Sequence, residues 1–333
     1  MEYLKTYNIF KLGDIAFEGN KSKDFSFGRF VENTIGDGIV SHVFVVFRPI
    51  NNFHNFDYWK YAINNENVMG RILARCTKKT TMMTNLVTTD FLTQKIYCPS
   101  LEEQAHIASF LSLIDQRIRK QKELLNALKK YKRGLLNSLI TQKLKFTSGQ
   151  IWRTTKLGDI FQERTERAIG DEELLAVTIS SGVQKRDEIN LKDNSSDDKS
   201  HYKRVYKGDL VYNTMRMWQG ASGVSLFDGI VSPAYTVVTP IDAAGTNIIF
   251  WSYYFKFAPL VRTFQKYSQG LTSDTWNLKF SRFSEIKVSV PSLKEQTAIA
   301  GVLIGVDRKI YDEEKKLTFI QKSRSSLMQQ LFI

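Results

Sequence analysis

The stretch Asn213-Thr214-Met215-Arg216-Met217-Trp218-Gln219-Gly220 gathers two amides, a guanidinium and an indole, and a further glycine, Gly223, follows closely. Asn and Gln side chains can pair with both the donor and the acceptor on an adenine edge, and Arg can do the same for guanine. These groups recognise; they do not make or break bonds. The other reading of the same residues is an ordinary turn with Trp218 tucked into the core. A second polar stretch, SQGLTSDTWNLKFSRF, spans residues 268–283. Gln269, Gly270, Thr272 and Ser273 are placed to face phosphate or base edges there, with Trp276 and Leu278 as anchors. In the first part of the chain the matching candidates are Gly19-Asn20-Lys21-Ser22-Lys23, and Gly70-Arg71 through Lys78-Lys79-Thr80.

Bond-making chemistry is hard to find. His42, His54, His106 and His201 are scattered, and none has metal-ligand spacing with Cys, Asp or Glu. His106 reads as exposed or packed. There is no G-x-x-x-x-G-K-[ST] phosphate loop and no G-x-S-x-G elbow. No Pro-Pro pair occurs, so the Asp/Asn-Pro-Pro-aromatic loop of amino-methylating enzymes is missing. The acidic pairs Asp187-Glu188 and Asp197-Asp198 read as solvated turns. No metal or cofactor site is expected on this chain.

The balance of charge fits a recognition role. With Lys and Arg in excess, the net charge is +13 and the pI about 9.5. A polyanion is the natural partner of such a surface, through release of counterions from neutralised phosphates; a generally basic proteome is the plainer explanation. Arg117, Arg119, Lys120, Lys122, Lys129, Lys130, Lys132 and Arg133 form a basic segment that is solvated, lines a groove for DNA, or meets a partner protein. Two cysteines, Cys76 and Cys98, without paired spacing suggest a reducing, cytoplasmic setting. No apolar run of about 18 residues predicts a membrane span, and no secretory leader is evident in MEYLKTYNIFKLGD.

What positions the polar stretches is a duplication. Residues 99–118 read PSLEEQAHIASFLSLIDQRI and residues 291–310 read PSLKEQTAIAGVLIGVDRKI, with 10 of 20 positions identical at an offset of 192. Ser100 and Ser292 suit N-caps, with Glu103 and Glu295 at capping-box spacing. Alternating steps of four and three follow. The first copy gives Ile107, Leu111, Ile114, Ile118, Gln121, Leu125, Leu128, Lys132, Leu135 and Leu139. The second gives Ile299, Leu303, Val306, Ile310, Glu313, Leu317, Ile320, Arg324, Leu327 and Leu331. This is a coiled-coil seam, and about forty helical residues span roughly 60 Å. An antiparallel pair with its two-fold near residue 126 would set Lys132 beside Glu313 and Gln121 beside Arg324.

The duplication reaches further back. Gly13-Asp14 matches Gly208-Asp209, and Asp37-Gly38-Ile39-Val40-Ser41 matches Asp228-Gly229-Ile230-Val231-Ser232. VFVVF and AYTVV read as strands, and an aromatic helix-like stretch follows each. KLGDI also occurs twice, at 11–15 and 156–160, which offers a rival alignment. The first is preferred because it keeps the distance from Gly-Asp to Pro-Ser-Leu. In both alignments the first copy is short; in the preferred one it lacks a counterpart of residues 151–200, and in the rival one the deletion falls inside the domain.

The paired P-S-L-[EK]-E-Q segments with their long helices, together with NTMRMWQGASGVSLFDGIVSPAYTVV and YSQGLTSDTWNLKF, resemble the specificity subunits of type I restriction–modification systems. The resemblance implies a mixed α/β fold, a tandem repeat of target recognition domains, each followed by a long helix, the helices pairing as an antiparallel coiled coil. The divisions would be residues 1–98, 99–150, 151–290 and 291–333. It implies a non-catalytic subunit that reads a bipartite double-stranded DNA site. Two methyltransferase subunits would dock on it and restriction/translocase subunits would join them, with S-adenosylmethionine, ATP and Mg on those partners. The missing portion leaves open a truncated or inactive allele that reads one half-site, or a chain completed by another subunit. Outside this family, a coiled-coil assembly scaffold is the alternative and a free-standing nuclease a distant third.

Overall fold

A computed structural model describes residues 6–50, 53–80, 83–146, 151–170, 172–179, 181–189 and 198–332; Asp197 of the second acidic pair lies outside them. The chain forms two compact units, Met1–Leu125 with Asp312–Ile333 (unit 1) and Asn126–Tyr311 (unit 2). Each therefore takes part of both long helices.

Unit 1 runs β1 (Asn8–Phe10), β2 (Ile15–Glu18), β3 (Arg29–Glu32), β4 (Gly38–Val40), β5 (Val45–Phe47), α1 (Phe56–Ala62), α2 (Glu66–Cys76), β6 (Thr77–Lys79), β7 (Thr84–Leu86), α3 (Thr88–Leu92) and the first part of α4 (Leu101–Ile140). The antiparallel sheet has the order β3-β2-β5, while β1 pairs with β4 and β6 with β7. Period-two alternation sends Ile15 and Phe17 to one side, where Phe30 packs on Phe17, Phe47 and Phe91 with centroids 4.9–6.1 Å apart. Asn55 and Asn65 cap α1 and α2, each accepting a backbone N–H from the first turn.

Unit 2 holds the rest of α4, then β8 (Arg153–Lys156), β9 (Phe161–Glu163), β10 (Leu175–Thr178), β11 (Gly182–Lys185), β12 (Lys203–Val205), β13 (Leu210–Asn213), β14 (Ser222–Val224), β15 (Gly229–Val231), β16 (Tyr235–Pro240), α5 (Ile248–Tyr254), α6 (Ala258–Tyr267), α7 (Phe280–Phe283), β17 (Lys287–Val290) and the first part of α8 (Leu293–Leu331). Its sheet has the order β14-β13-β16-β9, with pairs β12–β15, β10–β11 and β17–β8. It has two cores. One gathers Phe161, Trp251, Phe255 and Phe283; the other lies on the opposite side of the strands, where Leu175, Val177 and Val183 of the β10–β11 hairpin cover Val205, Val211, Val231 and Val237.

The first alignment is the one the fold follows. Lys11 N–H donates to Asp14 and Leu12 N–H to Asp37; Tyr206 N–H donates to Asp209 and Lys207 N–H to Asp228. Gly13 and Gly208 sit at φ +85° and +96°, the left-handed region that favours glycine. The strand after each turn, β2 or β13, is central in its sheet. The second KLGDI instead makes a 3-10 turn leading into the edge strand β9. Among the described residues unit 1 has no counterparts of β8 to β11, and residues 95–98, which align with β17, form no strand.

Both long helices open as the capping spacing predicts: Glu103 N–H donates to Ser100 Oγ at 3.2 Å and Glu295 N–H to Ser292 Oγ at 3.4 Å. The Glu295 carboxylate accepts from the Trp152 indole at 3.1 Å. Gln104 and Gln296, the Gln of each P-S-L motif, are buried. Each accepts the backbone N–H of Asn55 or Asn247 and donates to Pro99 or Pro291, fastening its helix to α1 or α5.

The helices run antiparallel. In unit 1, Gln121 donates to the Glu313 carboxylate at 2.6 Å, and Arg324 to Asp115 at 2.6 Å. In unit 2, Lys132 reaches Asp307 at 2.6 Å. The expected partners, Lys132 with Glu313 and Gln121 with Arg324, are thus corrected. Asp115 and Asp307 stand one position past the seam residues Ile114 and Val306, within reach of the long basic stems. Each acid also accepts a tyrosine hydroxyl, from Tyr61 at 2.9 Å or Tyr253 at 2.7 Å. That second bond fixes the acid for its cation and draws the register away from the one charge alone suggested. Leu111, Leu125, Ile299, Leu303, Ile310 and Glu313 are buried. Ile107, Ile114, Ile118, Leu128, Lys132, Val306, Leu317 and Ile320 are half-buried.

Candidate nucleic-acid interface

In unit 2 the two polar stretches come together. The loop after β13 turns through a 3-10 segment, Met217–Gln219, anchored by the fully buried Met217 and closed by Gly220 at φ +80°. The stretch after α6 closes on itself where Gln269 and Asn277 exchange backbone hydrogen bonds at 2.8 and 3.0 Å. Leu278 N–H donates to Thr214 O at 2.9 Å, and Trp276 meets Trp218 edge to face at 5.2 Å. Lys256 on α6's approach holds the same loop from beneath, donating to Gly220 O and Ile179 O. Burial, with some repulsion from Lys132, lowers its pKa to about 8.

The candidate residues divide by role. Arg216, Gln269, Thr272 and Ser273 are exposed, and Asn213 and Gln219 half-buried. Thr214 is buried and its hydroxyl donates to Ala234 O at 2.8 Å, so it shapes the loop. Trp218 is half-buried with its indole N–H on Met215 O at 3.0 Å; it braces the loops. Asn213 Oδ1 accepts Met215 N–H at 3.0 Å. Between the loops lies a concavity of about 400 Å³ lined by Thr214, Asn277, Lys279 and Ser281, with the Lys203–Glu163 ion pair at 2.9 Å on its wall. Asn277 Oδ1 and Gln219 Oε1 are buried acceptors with no hydrogen-bond donor among the described residues. Such an acceptor costs about 1–3 kcal/mol until a donor arrives.

Unit 1 repeats the closure with different residues. Thr84 N–H donates to Gly19 O at 2.9 Å, as Leu278 does to Thr214, and the Thr84 hydroxyl bonds Gly19 O and Phe27 O. Asn20, paired to Met83 in an isolated bridge, and Lys21 are exposed on this junction. Arg71 is on the solvent face of α2. The inward turn of both units carries a buried carboxylate held by a guanidinium. Arg48 grips Asp14 through two bonds at 2.6–2.7 Å and holds its carboxyl below the usual range; Arg164 grips Asp209 at 2.9–3.0 Å. Arg48 precedes α1, whereas Arg164 follows β9, which has no counterpart among the described residues of unit 1. Sequence reasoning missed Gln104, Gln296, Lys256 and both arginines. Only the glutamines had a signal, their repetition at the offset of 192.

His54 and Glu32 form a buried pair in unit 1 at 3.0 Å, the imidazole stacked on Trp59. Burial raises the Glu32 pKa, opposed by His54. Among the described residues no group of three or more His, Cys, Asp or Glu is placed to hold a metal ion. No described helix is long and apolar enough to cross a membrane.

Comparison with known proteins agrees with this geometry. The family model described as type I restriction modification DNA specificity domain matches residues 1–130 and 150–322. The chain belongs to that family and is a DNA-specificity subunit. Its fold is similar to the type I restriction–modification S subunit of M. genitalium (TM-score 0.57, 17% identity, covering 99% of this chain and 85% of that one). It is also similar to the HsdS subunit of Thermoanaerobacter tengcongensis (0.53, 14%, 97% and 81%). A third similar chain comes from a structure concerned with complex assembly and conformational transition of the type I R-M system (0.60, 14%, 98% and 83%).

Proposed function

We propose that this subunit directs partner enzymes to a bipartite double-stranded DNA site, and that unit 2 reads one half of it. The supporting observation is the junction of the loops around Arg216 and Gln269. Trp218 and Trp276 brace them, the polar rim of Arg216, Gln269, Thr272 and Ser273 stays open, and Asn277 and Gln219 keep acceptors without donors. Asn20, Lys21 and Arg71 are the candidate contacts of unit 1.

The chain itself is non-catalytic in this reading and works in the cytoplasm. Two methyltransferase subunits dock against the long helices, whose Arg117, Arg119, Lys120 and Lys122 are exposed. Restriction/translocase subunits join that core, and S-adenosylmethionine, ATP and Mg bind to the partners. The test is the methylation pattern of DNA co-expressed with the partner methyltransferase. Arg216→Ala and Gln219→Ala are expected to relax one half of the recognised sequence by about 1–3 kcal/mol per lost bidentate contact. An unchanged preference in both would remove this loop from the reading surface. A second reading, that only one half-site is read, is favoured by the absence of β8–β11 counterparts among the described residues of unit 1. It predicts that Asn20→Ala, Lys21→Ala and Arg71→Ala leave the pattern unchanged.

A further inference from the structure

The loop that carries Arg216 and Gln219 is held at three places. Within itself, Gly220 N–H donates to Met217 O, Ala221 N–H to Arg216 O, and Asn213 N–H to Ala221 O. Against the link between α5 and α6, atoms of Val261, Lys256 and Phe255 lie 3.5–3.7 Å from where a Cβ on Gly220 would stand. The third hold is the Lys256 ammonium. It donates to Gly220 O and, at 3.2 Å, to Ile179 O in the turn of the β10–β11 hairpin. That turn lies close to the strand into which the loop runs: a Cβ on Gly223 of β14 would come within 2.8 Å of Gly182 Cα. One side chain therefore joins the end of the loop to the hairpin beside it.

The surroundings of Lys256 make this hold sensitive to its charge. The loop and the hairpin turn present uncharged carbonyls to it. Burial lowers its pKa to about 8, and Lys132 on α4, which pairs with Asp307 on α8, adds repulsion. Tyr253 on α5 bonds Asp307, and burial together with that bond raises its pKa, so it keeps its proton. An ammonium bonds a carbonyl more strongly than a neutral amine does, so the hold weakens as pH rises through the lysine's pKa. In unit 1 the corresponding residue is Asn64, whose Nδ2 donates to Lys60 O of α1. The tie between loop and hairpin is a feature of unit 2.

We propose that Lys256 is the positioning residue of the half-site reader: by tying Gly220 to the β10–β11 turn it fixes where Arg216 and Gln219 meet the DNA. This rests on that loop being the reading surface. A group that recognises a base edge must be held within about half an ångström of its productive position. Gly220, at φ +80°, ends the loop with a backbone that is permissive by itself, so the hold has to come from outside. Lys256 then governs the preference for one base pair over another at the half-site of unit 2, and not the preference at the other half-site.

The test uses the full chain with its partner methyltransferase, and as probes a duplex of the recognised sequence and its single-base-pair variants. Lys256→Met keeps the stem and removes the donors. It is expected to lose about tenfold in preference at the base pairs that Arg216→Ala or Gln219→Ala relaxes, and nothing at the other half-site. Its Tm near neutral pH should not fall, because the folded chain holds the ammonium less readily than the unfolded chain does. In the unaltered chain the same preference should decline from about pH 7 to 9, and in Lys256→Met it should be flat. Each preference is a ratio of two duplexes at one pH, so general effects of pH on DNA binding cancel. Relaxation by Arg216→Ala and Gln219→Ala with none by Lys256→Met overturns the role of Lys256 and leaves the reading of the loop standing. No relaxation by any of the three overturns both. A flat pH profile in the unaltered chain, or equal loss at both half-sites with a lowered Tm, overturns the role as well, since either result marks a merely structural lysine.

Discussion

Unit 2 is built as two cores on either side of one sheet, whereas the described residues of unit 1 form the same central strands with a counterpart of only one of those cores. The difference shows which interactions define the repeat. The Gly-Asp turn, the capped aromatic helix, the buried P-S-L glutamine and the Tyr–Asp–cation cluster on the long helices occur in both. Everything contributed by residues 153–185 occurs in one. Unit 1 compensates locally. Arg48 replaces Arg164 on the buried Asp, and His54 stacks on Trp59, whose counterpart Trp251 packs instead against Phe161. A repeat can therefore lose a contiguous layer provided that each buried charge it exposes finds another partner.

The largest way to break this comparison is through the tryptophans. Trp251→Ala is expected to destabilise unit 2 by about 3–5 kcal/mol, the usual cost for a buried aromatic. Trp59→Ala, at a half-buried site, should cost clearly less. Urea unfolding followed separately by probes in each unit would show it, and equal losses would mean that unit 1 is as tightly packed as unit 2.

A smaller effect is expected at the turn. Arg48→Ala leaves Asp14, with 2% of its side chain exposed, without its cation, and about 1–3 kcal/mol should follow. Because Arg48 holds the Asp14 pKa below 3.8, the stabilisation is present above that value and fades as pH falls through the lowered one. Acid unfolding of Arg48→Ala should therefore show a shallower dependence in that range. An unchanged acid limb would mean that Arg48 is ornamental.

A third effect sharpens the comparison through pH. Lys256 has a pKa near 8 in the folded chain against 10.5 when free, and its counterpart in unit 1 is Asn64. Between those values the unfolded chain binds more protons, so stability rises with pH. Lys256→Met should remove that rise, measured as Tm from pH 8 to 10.5, while Asn64→Ala should not affect it.

Much of this was readable from residue order. The heptads, the Ser caps and the Gly-Asp equivalence are local or periodic, and they hold. The helix register was not readable, because it depends on how far Lys132 and Arg324 reach and on tyrosines supplied by α1 and α5. Nor does KLGDI carry its own structure: the same five residues make a turn before a central strand at 11–15 and a 3-10 turn before an edge strand at 156–160. Tertiary neighbours decide between them. Thr214 and Trp218 looked like contact residues by type, but only coordinates show their polar groups bonded within the loop.

Unit 1 is assembled from two segments that are distant in sequence, Met1–Leu125 and Asp312–Ile333, with unit 2 between them. Asn65 Nδ2 donates to Met328 O, and Phe332 packs on Tyr58 at 5.5 Å. During synthesis residues 8–125 emerge from the ribosome before 312–332, so unit 1 must wait for that later segment before it can close, while residues 126–311 between them are already free to fold. Of the two units, the one begun first is finished second, and its strands depend on a helix made much later.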